Sequence, residues 1–211
     1  NFYKNHESSE KMQLSGKPKT EYHFVLTPKE SPSLRLTGSI DKVVITADKY
    51  LTLVDYKTST QDHFDEKLLP YGLSLQLPLY SYVASVDSTF KDKTLLGLFI
   101  GHVLDTNPNS TKDKSLSERR ENFYKLDGVF LDSKEGMASL DATYQSSDFI
   151  KGCNLTNTGE WNKKGLRARN EKTMKEYGRQ ALQFALDALQ GIRKGLFPIN
   201  PKKIGNGLLM A

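Results

Sequence analysis

A single cysteine, Cys153, occurs in 211 residues. That excludes an internal disulfide and any paired-cysteine metal knuckle within the chain, and it fits a reducing, cytoplasmic setting. No apolar run approaches the roughly 20 residues that a membrane-spanning helix needs. No basic-then-apolar leader follows Asn1, which predicts a piece of a longer protein. Internal repeats and low-complexity tracts are missing as well. What remains is an ordinary globular composition, 37% hydrophobic and 26% charged, and enough length to bury a core without staples.

The net charge is +5, and it is concentrated in one place. Between Trp161 and Arg179 lie Lys163, Lys164, Arg167, Arg169, Lys172, Lys175 and Arg179, against only Glu171 and Glu176. This segment carries the whole excess. It reads either as a solvated helix face or as a footprint for nucleic-acid phosphates, with Trp161 beside it as a base-stacking ring or a surface anchor.

Residues 1–20 are polar and predict a loop or frayed helix. "EYHFVL" (21–26) predicts a strand, followed by the proline turn "TPKESPS". "LRLTGSIDKVVIT" and "YLTLVDYKTS" predict a hairpin, and "TQDHFDEKLLPYG" a polar loop. His63 in that loop, among Asp62, Asp65 and Glu66, reads as solvated. "LSLQLPLYSYVASV" has helical spacing, with Pro78 near its start. "TLLGLFIGHVL" and "FYKLDGVFL" predict strands around a long polar loop, and His23 and His102 fall within strand-like runs. From Thr173 to about Lys194, an apolar stripe (Met174, Tyr177, Ala181, Leu182, Ala185, Leu189, Ile192) predicts an amphipathic helix. The order β-β-β-α-β-β-α predicts one α/β (α+β) domain over 1–211, a mixed sheet flanked by helices.

The hairpin carries three charges that an apolar ribbon does not need. Centring its turn on Asp48 places Asp41 opposite Asp55. Alternation puts Lys57 on the same face and turns Tyr56 away. Two opposed carboxylates repel, so a cation must compensate. Lys57 is one candidate, and a divalent metal such as Mg²⁺ or Mn²⁺ is another. A cross-strand salt-bridge cluster on a wet sheet face fits the same spacing, and a one-residue slip in register would disperse the group. Gln76 and Tyr80, four apart on one helical face, follow after the loop.

In this order and spacing, "GSID" (38–41), "LVDYKTS" (53–59) and "LQLPLY" (75–80) resemble the RecB-like branch of the PD-(D/E)xK nuclease superfamily. "PYGLSLQLPLYSYV", "LLGLFIGHVLD", "FYKLDGVFLDS" and "GLFPINPKK" narrow the resemblance to the nuclease domains of the AddB/RexB family. The resemblance implies a restriction-endonuclease-like sheet and an exonuclease that cuts DNA, single strands included. It also implies an AddA-like helicase–nuclease partner in double-strand break repair and recombination. By position, Asp41 and Asp55 would be carboxylate metal ligands and the Tyr56 carbonyl a third. Lys57 would orient or deprotonate the attacking water, and Gln76 and Tyr80 would line the site. Lys163, Lys164, Arg167, Arg169 and Lys172 would bind the DNA. Glu21 falls loosely where such nucleases carry an acidic residue.

Three departures accompany the resemblance. The upstream helix with its metal-binding His is not recognisable, and His6 only approximates its region. Val44 stands where relatives often have a second Asp. Such proteins hold an iron–sulfur cluster on four flanking cysteines, and Cys153 matches none of them. The expectation is therefore no cluster in this chain, with one left open for the intact protein. Two alternatives stand beside the enzyme: an inactive nuclease-fold DNA-binding scaffold, and a free-standing phage-type exonuclease.

Overall fold

The computed structural model describes residues 18–59, 62–103, 122–163, 165–197, 202–204 and 207–209. The expectations for residues 1–17, with His6, for the polar loop over 104–121 and for Lys164 lie outside them.

The hairpin forms first in the chain and fixes everything near it. β1 (Lys19–Leu26) pairs antiparallel with β2 (Leu36–Thr46), and β2 pairs antiparallel with β3 (Tyr50–Lys57). β1 thus begins two residues before its expected start. The β2–β3 ladder runs from Thr46↔Tyr50 to Lys42↔Val54, the register obtained by centring the turn on Asp48. Its turn closes by Lys49 N–H donating to Thr46 C=O at 3.1 Å. Ala47 and Asp48 both sit at positive φ, 51° and 49°, the backbone that a tight hairpin of right-twisted strands requires. Neither is glycine, so the turn carries about 1–2 kcal/mol of strain per residue. Lys93 offsets part of it, donating to Asp48 C=O at 2.7 Å and to Asp48 Oδ1 at 2.6 Å.

Residues 66–71, expected as loop, wind into a short 3-10 helix. Asp65 Oδ1 caps it by accepting Lys67 N–H at 3.0 Å, and Gly72 ends it at φ 73°. Helix α1 (Gln76–Val86) then crosses over the sheet to β4 (Thr94–His102), which lies parallel to β3. Pro78 falls in the first turn of α1, where a missing N–H breaks no helical bond. β5 (Asp127–Leu131) returns antiparallel to β4, α2 (Lys134–Leu140) follows, and β6 (Ala168–Arg169) adds parallel to β5. Helix α3 (Glu171–Arg193) closes the domain, and β7 (Lys202–Ile204) and β8 (Gly207–Leu209) form a separate ribbon.

The main sheet is six strands in chain order, β1 to β6, mixed in direction and flanked by helices. β3 is buried from Tyr50 to Asp55 and β4 from Leu96 to His102. Both faces of these strands are covered, so they read as continuous apolar runs rather than as alternation. Leu53, Leu96, Leu98, Phe99 and Phe130 are fully enclosed. Each contributes about 1.5–3 kcal/mol through its burial.

α1 and α3 pack closely because Gly178 has no side chain. A Cβ there would lie 2.9 Å from Ser81 Oγ and 3.0 Å from Tyr82 N. The expected stripe of α3 is buried at Met174, Tyr177, Ala181 and Leu182, but Ile192 is 60% exposed. Among the described residues, no helix is long and apolar enough to cross a membrane.

Candidate active site

The C-terminal end of β3 and the first turn of α1 bring five of the expected residues together. Asp55 is buried in β3, while Lys57, two residues on, reaches solvent. Lys57 Nζ lies 2.8 Å from Asp55 Oδ2 and donates to Gln76 Oε1 at 2.7 Å. Gln76 Nε2 donates to Asp55 Oδ1 at 2.8 Å and to Tyr80 Oη at 2.9 Å. An ammonium only donates and a carboxylate only accepts, so one orientation of the Gln76 amide satisfies both. The three side chains form a closed ring, and Tyr80, one helical turn on, supports its far side.

Asp41 joins through the backbone. The β2–β3 ladder stops at Lys42↔Val54. Beyond it, the Asp41 carboxylate takes the place of a ladder acceptor, receiving the Tyr56 N–H on Oδ2 at 2.7 Å. The Tyr56 ring is turned to the neighbouring strand, where a Cβ on Gly101 would meet it at 2.8 Å. Asp41 is thereby tied to the peptide between Asp55 and Lys57. Val44 is packed in the core and supplies no second carboxylate.

Charge in the ring is unevenly tolerated. Burial pushes the Asp55 carboxyl above the usual range; Lys57 opposes this, while the charges of Asp41 and Asp62 add to it. Burial pulls Lys57 down, but its contact with Asp55 and the charges of Asp55 and Asp62 outweigh that and hold it above the ordinary lysine value. Lys57 is therefore an ammonium at neutral pH. Burial also raises the Tyr80 phenol, against the Gln76 hydrogen bond, and the two aspartates add to the rise.

The ring opens on a cavity of about 240 Å³ lined by Asp55, Lys57, Asp62, His63, Gln76 and Ile100. Asp62 and His63, read from sequence as a solvated loop, are exposed at this mouth. Ile100 was not anticipated, and only its β4 pairing with Asp55 puts it there. A larger cavity, about 490 Å³, lies at the opposite end of β3 and β4, against Leu51 and Thr94.

The donor set suits a hard divalent cation. Asp55 Oδ2 is buried and accepts no hydrogen bond; its contact with Lys57 is one of charge. It is an acceptor with lone-pair capacity to spare beside a second carboxylate. Among the described residues, no three His, Cys, Asp or Glu side chains cluster for a metal. Mg²⁺ needs no such cage, because it keeps its waters and takes one or two carboxylates.

The other expected residues scatter. Glu21 falls opposite Asp41 by the β1–β2 register, but its φ of 49° takes it out of the ladder. Arg169 is drawn inward. Its guanidinium grips Glu66, Nε donating at 2.9 Å and Nη2 pairing with the other oxygen, and Tyr177 donates to the same carboxylate. Arg167 pairs with Asp127 at 3.1 Å. Lys163 and Lys172 are exposed. The basic segment is therefore no continuous cationic face. Trp161 is a buried anchor, packed edge-on against Phe130 and donating to Asp132 Oδ1 at 2.6 Å. His23 is exposed, and His102 is buried with Nδ1 3.1 Å from Ser59 C=O.

Comparison with known proteins bears on this geometry. A family model described as the PD-(D/E)XK nuclease superfamily matches residues 4–204. The B subunit of an ATP-dependent helicase/deoxyribonuclease from Lysinibacillus sphaericus (strain C3-41) is 33% identical over 114 residues, 51% of this chain and 10% of that protein. A protein of the same name from Thermoanaerobacter sp. (strain X514) is 26% identical over 147 residues, 66% of this chain and 13% of that protein. The chain spans about a tenth of the length of these curated relatives.

Proposed function

We propose that this chain, which belongs to the PD-(D/E)XK nuclease superfamily, is a divalent-metal-dependent DNA exonuclease domain. The observation that carries the reading is the closed ring of Asp55, Lys57 and Gln76, with Asp41 fastened to the intervening peptide. Asp41, Asp55 and the Tyr56 carbonyl would hold Mg²⁺ or Mn²⁺. Such an ion, when bound, supplies Lewis acidity toward a phosphate oxygen and lowers the pKa of a coordinated water.

The chain's own groups do the rest. Lys57, kept protonated by Asp55, is a fixed cation at the mouth of the cavity, where negative charge on a phosphoryl oxygen grows in the transition state. A raised pKa makes Lys57 a donor rather than a base in this state. Gln76 locks the ammonium against free rotation by accepting one of its protons. Tyr80 accepts from Gln76 and keeps the amide from turning. The products would be a 5′-phosphate and a 3′-hydroxyl, with little base readout, because backbone contacts position without specifying.

The relatives' names support a place in a cytoplasmic AddAB-type helicase–nuclease, beside an AddA-like partner, acting in repair of double-strand breaks. No iron–sulfur cluster is assigned to this chain.

The test is cleavage of labelled single- and double-stranded DNA with Mg²⁺, with Mn²⁺ and with chelator. Metal-dependent cutting that disappears in Asp55→Ala and Lys57→Ala, with both variants still folded by circular dichroism, supports the reading. A parent chain that cuts neither DNA with either metal contradicts it.

A further inference from the structure

The row of the sheet that holds the two aspartates does not end at β3. Asp55 pairs with Ile100 of β4, and Ile100 pairs with Asp127 of β5. Directly paired residues share a face, so Asp127 stands on the face of Asp55, two strands away. Adjacent strands lie about 4.8 Å apart, which puts the two about 10 Å from each other.

Asp127 is held between two cations. Lys151 Nζ donates to Oδ2 at 3.3 Å, and Arg167 Nη2 lies 3.1 Å from Oδ1. Both cations are about one-third exposed, 32% and 34%, while the carboxylate is 13% exposed. One buried acid thus faces two cations, leaving one positive charge over. The Arg167 contact is one of charge alone, because Oδ1 accepts no hydrogen bond. Its N–H fork is not spent on Asp127.

The arrangement is built rather than incidental. Lys151 N–H donates to Leu126 C=O at 3.0 Å, and Phe130 N–H donates to Arg167 C=O at 3.1 Å, so both backbones are fastened along β5. Between them Gly152 turns at φ 70°, and a Cβ there would strike Arg167 Cγ at 2.7 Å. The Arg167 stem lies across that glycine. The Lys151 charge also reaches toward the site: after burial, it is the next cause lowering the imidazole of His102, the β4 residue paired with Lys57.

We propose that Lys151 and Arg167, braced by Asp127, form a subsite for a nucleic-acid phosphate neighbouring the one cleaved at Asp55. The assignment rests on the nuclease reading above. Phosphates advance about 3.4 Å per nucleotide along a duplex strand and further along an extended one. The separation between the two sites is thus crossed within about three nucleotides.

The test measures binding of a labelled single-stranded oligothymidine to the 211-residue chain in chelator, across a range of salt. The variants are Lys151→Gln/Arg167→Gln and a triple change that adds Asp127→Asn. The triple leaves no unpaired carboxylate behind and so keeps the fold. Both should bind about ten-fold more weakly, with the salt slope lowered by about 0.7, the value for one single-strand phosphate contact. With Mg²⁺, KM should rise about as much while kcat stays within about two-fold. On thymidine 5′-(4-nitrophenyl) phosphate, whose one phosphodiester has no neighbour, triple variant and parent should match. Unchanged affinity and slope, an equal loss on the nitrophenyl substrate, or a parent that does not bind the strand overturns the subsite. A parent that binds the strand but cuts nothing overturns the hydrolytic reading instead, and the salt slope still decides the subsite.

Discussion

Gln76 Oε1 accepts a hydrogen bond from Lys57 Nζ at 2.7 Å while its Nε2 donates to Asp55 at 2.8 Å, so one neutral amide holds both members of an ion pair. A glutamate there would bring a third negative charge against Asp55, and an alanine would release Lys57.

Gln76→Ala should therefore lower DNA cleavage about 10- to 100-fold, the equivalent of losing a hydrogen bond to a charged group at about 1.5–3 kcal/mol. Metal binding should persist, because the amide touches neither Asp41 nor the Tyr56 carbonyl. Parallel cleavage rates and metal calorimetry check this, and a variant that cuts at the parent rate would remove Gln76 from the site.

Asp55 makes the metal effect pH-dependent. Its folded pKa is raised, chiefly by burial. The ionised carboxylate is thus disfavoured in the fold, and without metal its contribution to stability is lost as pH rises through the folded pKa. A bound cation reverses this, because only the ionised form binds it. Mg²⁺ at about 100 times its Kd should add about 2.7 kcal/mol, several degrees of melting temperature. That increment should shrink as pH falls through the raised Asp55 pKa. Thermal melts of the parent and of Asp55→Asn check it, and an equal Mg²⁺ shift in the variant would count against Asp55 as a ligand.

Arg169 should behave as a structural residue. It and Tyr177 converge on Glu66, whose carboxyl is held below its usual range, first by the Arg169 hydrogen bonds. Arg169→Ala should cost about 1.5–3 kcal/mol in denaturant melts, with DNA affinity unchanged once folding is corrected for. A loss of DNA affinity in fully folded Arg169→Ala would return it to the DNA-binding surface.

Gly178 transmits to the site through α1. Its hydrogen faces Ser81 and Tyr82 at a distance where any Cβ collides. Gly178→Val should push apart the helix pair that carries Gln76 and Tyr80, costing about 1–3 kcal/mol and lowering cleavage without changing a site residue. Melting curves and cleavage rates test both halves.

The convergence of Asp41, Asp55 and Lys57 was legible in the sequence because strand alternation and a three-residue turn leave few registers, and the turn centre at Asp48 selected the observed one. Gln76 and Tyr80 were legible from helical spacing. The 3-10 helix at Glu66–Tyr71 was hidden by Pro70 and Gly72, which read as loop. α2 was hidden by its shortness, seven residues with two small ones inside. The basic segment misled because charge counted along a chain does not reveal which cations are consumed by distant acids. Glu66 lies 103 positions from Arg169, and Asp127 meets Arg167 only through β5 and β6.

The most direct test of the two-aspartate site is anomalous diffraction from crystals of the parent chain soaked in Mn²⁺. The geometry predicts a metal peak within coordination distance of the Asp41 and Asp55 carboxylates and the Tyr56 carbonyl, lost in Asp55→Asn. A well-diffracting soak with no peak between those aspartates, or with the metal on Asp62 and His63 alone, would contradict it.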